Sequence, residues 1–360
     1  MAKVELDRLT VQFGDVAAVD GISLVLEQGE FIVLLGPSGC GKTTALRSIA
    51  GLQHASSGEI RFDGKPVTGL SPAKRNVAMV FQFVSLYPHL TVRQNVAFPL
   101  RAKGVSGHEI GKKIEWIAEV FAIGDILDRY PVGLPPGSRQ KAALARAVVR
   151  DPDVLLLDEP LSAVDEQYRE EMRWELRHLQ KKLGITTVHV THDQREAMSL
   201  ADRVVLMRAG RIVQAGSPTA LFNDPTDRFA AFFIGSPGMN FIDLTLAADG
   251  LHVAADQSLR VSAPNTVLEH ARAEGLNQIV LGIRPHMVEL ANEEGRDVLP
   301  AKLLDAALVG RDLQTQFSLA GQTIQVVLPL EVDPRDGRGL RLPPPHCLFF
   351  APDGSRLGVR

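Results

Sequence analysis

Gly36-Pro-Ser-Gly-Cys-Gly41-Lys42-Thr43 is the stretch that most restricts how this chain can fold. It follows the short apolar run Phe31-Ile-Val-Leu-Leu35 and precedes Thr44-Ala-Leu-Arg-Ser-Ile-Ala50-Gly51. Phe31 to Leu35 has the length of a buried strand, and Leu46, Ile49 and Ala50 fall on one helical face that Gly51 can terminate. The segment therefore reads as strand, glycine-rich loop, helix. Its spacing fits G-x-x-x-x-G-K-[ST], in which backbone N–H groups wrap phosphate oxygens and the helix dipole favours their charge. Lys42 would reach the β- and γ-phosphates, and Thr43 would hold Mg²⁺. A glycine-rich turn without a ligand is the plain alternative, and the flanking strand and helix weigh against it.

At 360 residues the chain exceeds one ordinary core, so two domains are expected. Its 45% hydrophobic and 22% charged content is that of a soluble globular protein. A net charge of −3 gives no basic footprint, which argues against nucleic acid as a partner. No apolar run approaches the span of a bilayer, and Met1-Ala-Lys-Val-Glu-Leu-Asp7 lacks the apolar core of a signal peptide. Only Cys40 and Cys347 are present, so no disulfide framework is expected. A cytoplasmic protein that touches a membrane through partners is the expectation.

Val4 to Phe13 and Ile22 to Leu26 alternate apolar and polar residues and predict two half-exposed strands. Phe13 can stack on an adenine ring or belong to the core, and the residues alone leave both open. Val77 to Phe81 predicts a buried strand ending at Gln82, whose amide could reach a metal or the attacking water or simply face solvent. From 86 to 150 the chain is more helical. Ile110, Ile114, Ile117 and Phe121 define one amphipathic helix closed by Gly124, and the breaker-rich run Tyr130 to Ser138 feeds a helix from Arg139 to Val149.

Val154-Leu-Leu-Leu157-Asp158-Glu159-Pro160 is the second strong signal: an all-apolar strand delivers two carboxylates at its end. This matches a Walker B strand, with Asp158 holding Mg²⁺ through water and Glu159 polarising the attacking water. A helix from Glu166 to Leu183 follows, with Tyr168, Met172, Leu176, Leu179 and Leu183 on one stripe and Gly184 as its cap. The β-rich run Thr187 to Thr191 ends at His192-Asp193, where a histidine can hydrogen-bond a γ-phosphate or serve structure. After Pro237 short β-rich runs such as Ile279–Ile283, Gln314–Leu319 and Thr323–Leu328 replace the helices, the pattern of a small barrel or sandwich.

Together these elements resemble the ATP-binding subunit of ABC transporters, in the carbohydrate importer branch whose maltose and sn-glycerol-3-phosphate members carry a C-terminal regulatory domain. The resemblance rests on Gly36, Pro37, Ser38, Gly39, Cys40, Gly41, Lys42, Thr43 and Thr44 as Walker A, Val80-Phe81-Gln82 as the Q-loop, and Leu157 to Pro160 as Walker B. Leu161-Ser162-Ala163-Val164-Asp165 stands as the D-loop and Thr191-His192-Asp193 as the H-loop. The fold it implies is α/β, a P-loop ATPase domain over 1–235 with a helical subdomain near 86–150, then an all-β OB-like regulatory domain over 236–360. It implies ATP and Mg²⁺ as cofactors, with Glu159, His192 and Gln82 catalytic, Thr43, Gln82 and Asp158 at the metal, and Phe13 on the adenine. Leu86 to Leu90, with Tyr87-Pro88, would receive two integral-membrane permease subunits on the cytoplasmic face of the membrane. An extracytoplasmic solute-binding protein would act indirectly. Phe232 to Phe241 would be the hinge, with Gly282-Ile283-Arg284-Pro285 inside the second domain. The family's Arg-Pro-Glu-His run stands here as Arg284-Pro285-His286-Met287, without its glutamate.

ABC ATPases work as head-to-tail pairs in which the signature Leu-Ser-Gly-Gly-Gln of one subunit, with its Asp165-type D-loop, closes over ATP on the other. In this chain the signature is Leu134-Pro135-Pro136-Gly137-Ser138. The serine hydroxyl is lost, and both prolines lack an N–H, so two backbone donors to phosphate are lost as well. Proline is tolerated in a first helical turn, so the fold need not suffer. Two readings stand: a slow but working ATPase of a sugar or glycerol-phosphate importer, as a homodimer or ATPase pair, and an ATP-binding scaffold that hydrolyses little. The presence of Lys42, Gln82, Asp158, Glu159 and His192 together favours the first.

Overall fold

The computed structural model describes residues 1–358 except 84, 163, 294 and 296. Ala163 of the D-loop therefore lies outside the described residues. The chain forms two units, Met1–Thr219 and Ala220–Arg360.

The first unit contains two sheets. β1 (Val4–Phe13), β2 (Val16–Leu26), β4 (Ser57–Phe62) and β5 (Lys65–Pro66) form an antiparallel sheet ordered β2-β1-β4-β5. β3 (Phe31–Leu35), β6 (Val77–Val80), β7 (Val154–Asp158), β8 (Thr186–Thr191), β9 (Arg203–Arg208) and β10 (Arg211–Gly216) form a second, ordered β10-β9-β3-β8-β7-β6. Its strands are parallel except for β10, which pairs antiparallel with β9. Every residue of β3, β7 and β8 is buried, as parallel strands covered on both faces require. α1 (Lys42–Ala50) packs against both sheets, its Leu46 and Ile49 joining Leu9, Val11, Ile32 and Val188 in one core.

α2 (Val92–Ala102), α3 (Gly107–Val120) and α4 (Pro136–Val148) make the helical portion, and α5 (Glu166–Leu183) and α6 (Gln194–Leu200) complete the unit. Three sequence expectations shift here. α3 ends at Val120, capped by Phe121, rather than running to Gly124, because Ala122 turns into the left-handed region at φ 48°. α4 starts at Pro136 rather than Arg139: Pro135, at φ −56° and ψ 152°, is its N-cap, and Pro136 takes the first helical position, where no N–H is needed. On α5 Met172, Leu176 and Leu179 are buried, but Tyr168 is 54% exposed and adds nothing to the stripe. β2 also begins six residues ahead of Ile22, at Val16, bent by register shifts opposite β1.

α7 (Pro218–Asn223) crosses the division between the units. The second unit adds α8 (Arg228–Phe233) and three antiparallel sheets. β11 (Asn240–Ala247), β12 (Gly250–Val253), β13 (Asp256–Val261), β14 (Gln278–Ile283) and β21 (Leu348–Phe350) form the first. β15 (Glu289–Ala291), β16 (Val298–Pro300) and β20 (Gly339–Arg341) form the next, and β17 (Lys302–Val309), β18 (Asp312–Leu319) and β19 (Gln322–Pro329) the last. They share a core that includes Ile242, Leu281, Phe317 and Phe349. Among the described residues one α-helix, the nine-residue α9 (Asn265–Ala273), interrupts the strands.

The division at Thr219 falls ahead of the boundary at 235 read from the sequence, for a local reason. Arg284, 5% exposed, donates from Nη1 to the Ala231 and Ile234 carbonyls and from Nη2 to the Phe222 carbonyl at 2.8 Å. Its guanidinium also lies 4.3 Å from the Phe222 ring centroid. α8 and the segment before it are thus tied to β14, and Phe232 to Phe241, expected as a hinge, runs from α8 into β11.

Candidate functional site: a phosphate loop facing two carboxylates

Two glycines shape the loop between β3 and α1. A Cβ at Gly36 would stand 2.3 Å from the Met207 carbonyl, and one at Gly41 2.1 Å from the Ala18 carbonyl. Any side chain at either place would push the loop off β9 or β2. Gly41, at φ 100°, is also the N-cap of α1 and supplies no side-chain cap, and the first turn holds no acidic residue. The N–H groups of Lys42, Thr43 and Thr44 have no intrahelical acceptor. With the helix dipole behind them they form an anion cradle. Lys42, 6% exposed, donates to the Gly36 and Pro37 carbonyls at 2.7 and 2.8 Å, which holds its ammonium inside the loop.

Parallel pairing carries the second group of residues to the same end of the sheet. β7 ends at Asp158, which is buried and accepts a hydrogen bond from the Thr43 hydroxyl at 2.9 Å. Arg47 lies 3.9 Å from the other oxygen of Asp158. Hydroxyl and carboxylate oxygens beside a phosphate cradle are the hard donors Mg²⁺ takes while keeping several waters, so these residues fit the ion. Among the described residues no group of three or more His, Cys, Asp and Glu could hold a metal.

The chain turns sharply after Asp158. Glu159 sits in the left-handed region at φ 46°, at a cost of roughly 1–2 kcal/mol for a residue with a Cβ. Its N–H donates to the Val190 carbonyl at 3.0 Å, so the turn is fixed to β8. Its carboxylate lies between two sequence-predicted partners: Gln82 Nε2 donates to Oε2 at 3.4 Å, and His192 Nδ1 is 3.3 Å from Oε1. Gln82 follows β6 directly after Phe81, which is 42% exposed rather than part of the strand. Lys42, Thr43, Gln82, Asp158, Glu159 and His192 thus come together at one sheet edge.

Other predicted residues lie elsewhere. Phe13, 52% exposed, ends β1 opposite Val16, on the hairpin whose Ala18 carbonyl abuts Gly41. Asp165 is the exposed N-cap of α5 and makes no side-chain capping bond. Leu134 is buried, whereas Pro135 and Pro136 are exposed at the start of α4. Leu86 to Leu90 is held by Asn95 of α2, a fully buried residue that sequence reasoning missed. Its amide donates to the Tyr87, Leu90 and Thr91 carbonyls at 3.0 Å, and its oxygen accepts from the Tyr87 N–H at 2.8 Å. Tyr87 packs against Phe98 with the rings tilted by 50° and their centroids 4.8 Å apart, and it carries the Arg146 guanidinium 5.3 Å from its ring centroid. Also missed were His189 and Glu196, a buried pair behind His192, since an isolated glutamate in a helix gives no signal of its own. Among the described residues no helix is long and apolar enough to cross a membrane.

A glycine-shaped anion cradle on a parallel sheet, with a carboxylate against its threonine and a second carboxylate between glutamine and histidine, defines a P-loop ATPase of the ABC type. Comparison with known proteins carries this to a family. The ABC transporter family matches residues 19–162, and the MalK OB fold domain family matches residues 235–286. The sn-glycerol-3-phosphate import ATP-binding protein of Chromohalobacter salexigens is 41% identical, over 99% of this chain and 96% of its own length. The lactose transport ATP-binding protein of Rhizobium radiobacter is 44% identical over 79% of each chain. Among solved structures, a dimeric ATP-binding cassette in a post-hydrolysis state with ADP and Pi is 29% identical at a TM-score of 0.53, covering 60% of this chain and 98% of its own. The chain belongs to the ATP-binding subunits of carbohydrate-type ABC importers, transport ATPases with a C-terminal OB-fold domain.

Proposed function

We propose that this subunit hydrolyses ATP to energise import of a sugar or a glycerol-phosphate derivative. It would work as a head-to-tail ATPase pair on the cytoplasmic face of a membrane, beneath two permease subunits that receive solute from an extracytoplasmic binding protein. The observation that carries the reading is the placement of Glu159 between Gln82 and His192, beside a phosphate loop whose Thr43 touches Asp158. The solute class is supported by the relatives, which include sn-glycerol-3-phosphate import and lactose transport ATP-binding proteins.

Phe13 would stack on the adenine, and the Gly36–Thr44 loop would bind the phosphates. Thr43, Asp158 and Gln82 would hold Mg²⁺, which supplies charge neutralisation of the phosphates when bound. Glu159 accepts a hydrogen bond from the attacking water and so aligns it with the γ-phosphate, while His192 donates to a γ-phosphate oxygen. The other half of each site would be the partner's Leu134 to Ser138, with Asp165 from its D-loop. Pro135 and Pro136 bring neither an N–H nor a hydroxyl there, so turnover is slow. Tyr87 and Pro88, beside exposed Phe98, would meet the permease.

Steady-state phosphate release by the full chain with Mg·ATP, compared with Glu159→Gln, tests the reading. We expect a fall of about 100-fold or more. Equal rates would leave an ATP-binding scaffold.

A further inference from the structure

Glu159 and His192 both depend on how the end of β8 is held. Glu159 hangs from the Val190 carbonyl, and His192 is the first residue beyond the strand. Side chains two apart on a strand share a face, so His189 and Thr191 point the same way, toward α6. There they meet Glu196, which is 3% exposed.

We propose that Glu196 is a positioning residue for ATP hydrolysis, a buried carboxylate that fixes the backbone on both sides of His192 and so holds that ring against Glu159. His189 Nε2 lies 3.0 Å from Glu196 Oε2, and the Thr191 hydroxyl faces the same carboxylate and helps to hold it ionised. The Thr191 oxygen in turn accepts from the Asp193 N–H at 3.0 Å. Residues 191 and 193 are therefore joined to one another and to Glu196, with His192 between them. Asp193 closes the loop as N-cap of α6, its Oδ1 accepting from the Arg195 and Glu196 N–H groups at 2.7 and 3.4 Å.

Protonation follows from the surroundings. His189 is fully buried, and its Nδ1 has no hydrogen-bond partner. Burial pushes the Glu196 carboxyl up, but the hydrogen bond and charge of His189, then the Thr191 hydroxyl and the charge of Arg169, outweigh it and hold the group below its ordinary range. Glutamine cannot replace it cleanly. It offers one acceptor oxygen in place of two and carries no charge to face Arg169.

The inference rests on the ATPase reading of Glu159 and His192, and the test separates the two. The full chain is assayed for phosphate release against ATP concentration as wild type, E159Q, E196Q and T191V, with H192A alone and combined with E196Q. We expect E196Q and T191V to lower kcat about 10- to 100-fold with KM for ATP within twofold, since the phosphate loop is untouched. In the H192A background E196Q should lose no more than another twofold. A kcat within twofold of wild type in E196Q and T191V, or a full further loss on top of H192A, overturns the proposal. T191V keeps the side-chain shape and a neutral core, so it reports even if E196Q does not fold. If wild type is no faster than E159Q, the ATPase reading fails instead.

Discussion

Two helix N-termini in the first unit are built to opposite specifications. α1 opens at a glycine with no competing cap, so its first-turn N–H groups are free for phosphate. α4 opens at Pro135 and Pro136, which remove N–H groups from the corresponding place in the signature segment. Both helices are sound as structure. The difference shows that a helix start can be good for the fold and poor for an anion, because the donors that folding leaves unsatisfied are the ones binding needs.

The largest expected effect lies on the competent side. Lys42→Ala removes the buried ammonium inside the loop and should weaken ATP binding by about 100-fold, read by nucleotide fluorescence titration. Retained affinity would mean that the backbone donors of α1 suffice. On the deficient side, Pro135→Ser with Pro136→Gly restores a hydroxyl and two N–H groups. Since one donor aimed at transition-state charge is worth about 2.7–4 kcal/mol, turnover should rise by at least about 10-fold with ATP affinity little changed. No gain would show that the prolines are compensated. Thr43→Val removes the hydroxyl that bonds Asp158 and should raise the Mg²⁺ concentration for half-maximal phosphate release by about tenfold, seen in a metal titration. The smallest effect concerns the strand behind the site. Glu196 has a carboxyl below its ordinary value of 4.5 in the folded chain, so its stabilisation is present above that pH and fades as pH falls through the folded value. The melting difference between wild type and E196Q should therefore be largest near neutrality and shrink below about pH 4.5.

Much of this was legible because the functional residues sit in patterns with a mechanical cause. Glycines at 36 and 41, an apolar strand before Asp158, and a β-run before His192 each announce where backbone meets chemistry. The site itself needed the sheet order β3-β8-β7-β6, which sequence does not state but which brings Gln82, Glu159 and His192 to one edge. Boundaries suffered where a local rule was read too literally. Gly124 looks like a helix stop, yet a left-handed alanine ended α3 first. Asn95 and Glu196 gave no warning, since a polar side chain on a helix acquires meaning only when tertiary packing buries it opposite donors. The OB-type unit showed its strands, but not that a single arginine gathers the segment before them.

That arginine bears on how the second unit could be made alone. Arg284 is buried with its two terminal nitrogens on three carbonyls, and burial lowers its pKa to about 10. The OB-fold match begins at 235, so a fragment cut there would discard Phe222, Ala231 and Ile234, all three of its acceptors' residues. A buried cation left without partners costs about 3–5 kcal/mol, enough to unfold many small domains. A fragment that starts near Ala220 keeps all three acceptors: the sixteen or so residues that sequence assigns to the motor are, energetically, the OB-fold unit's own counter-ligand.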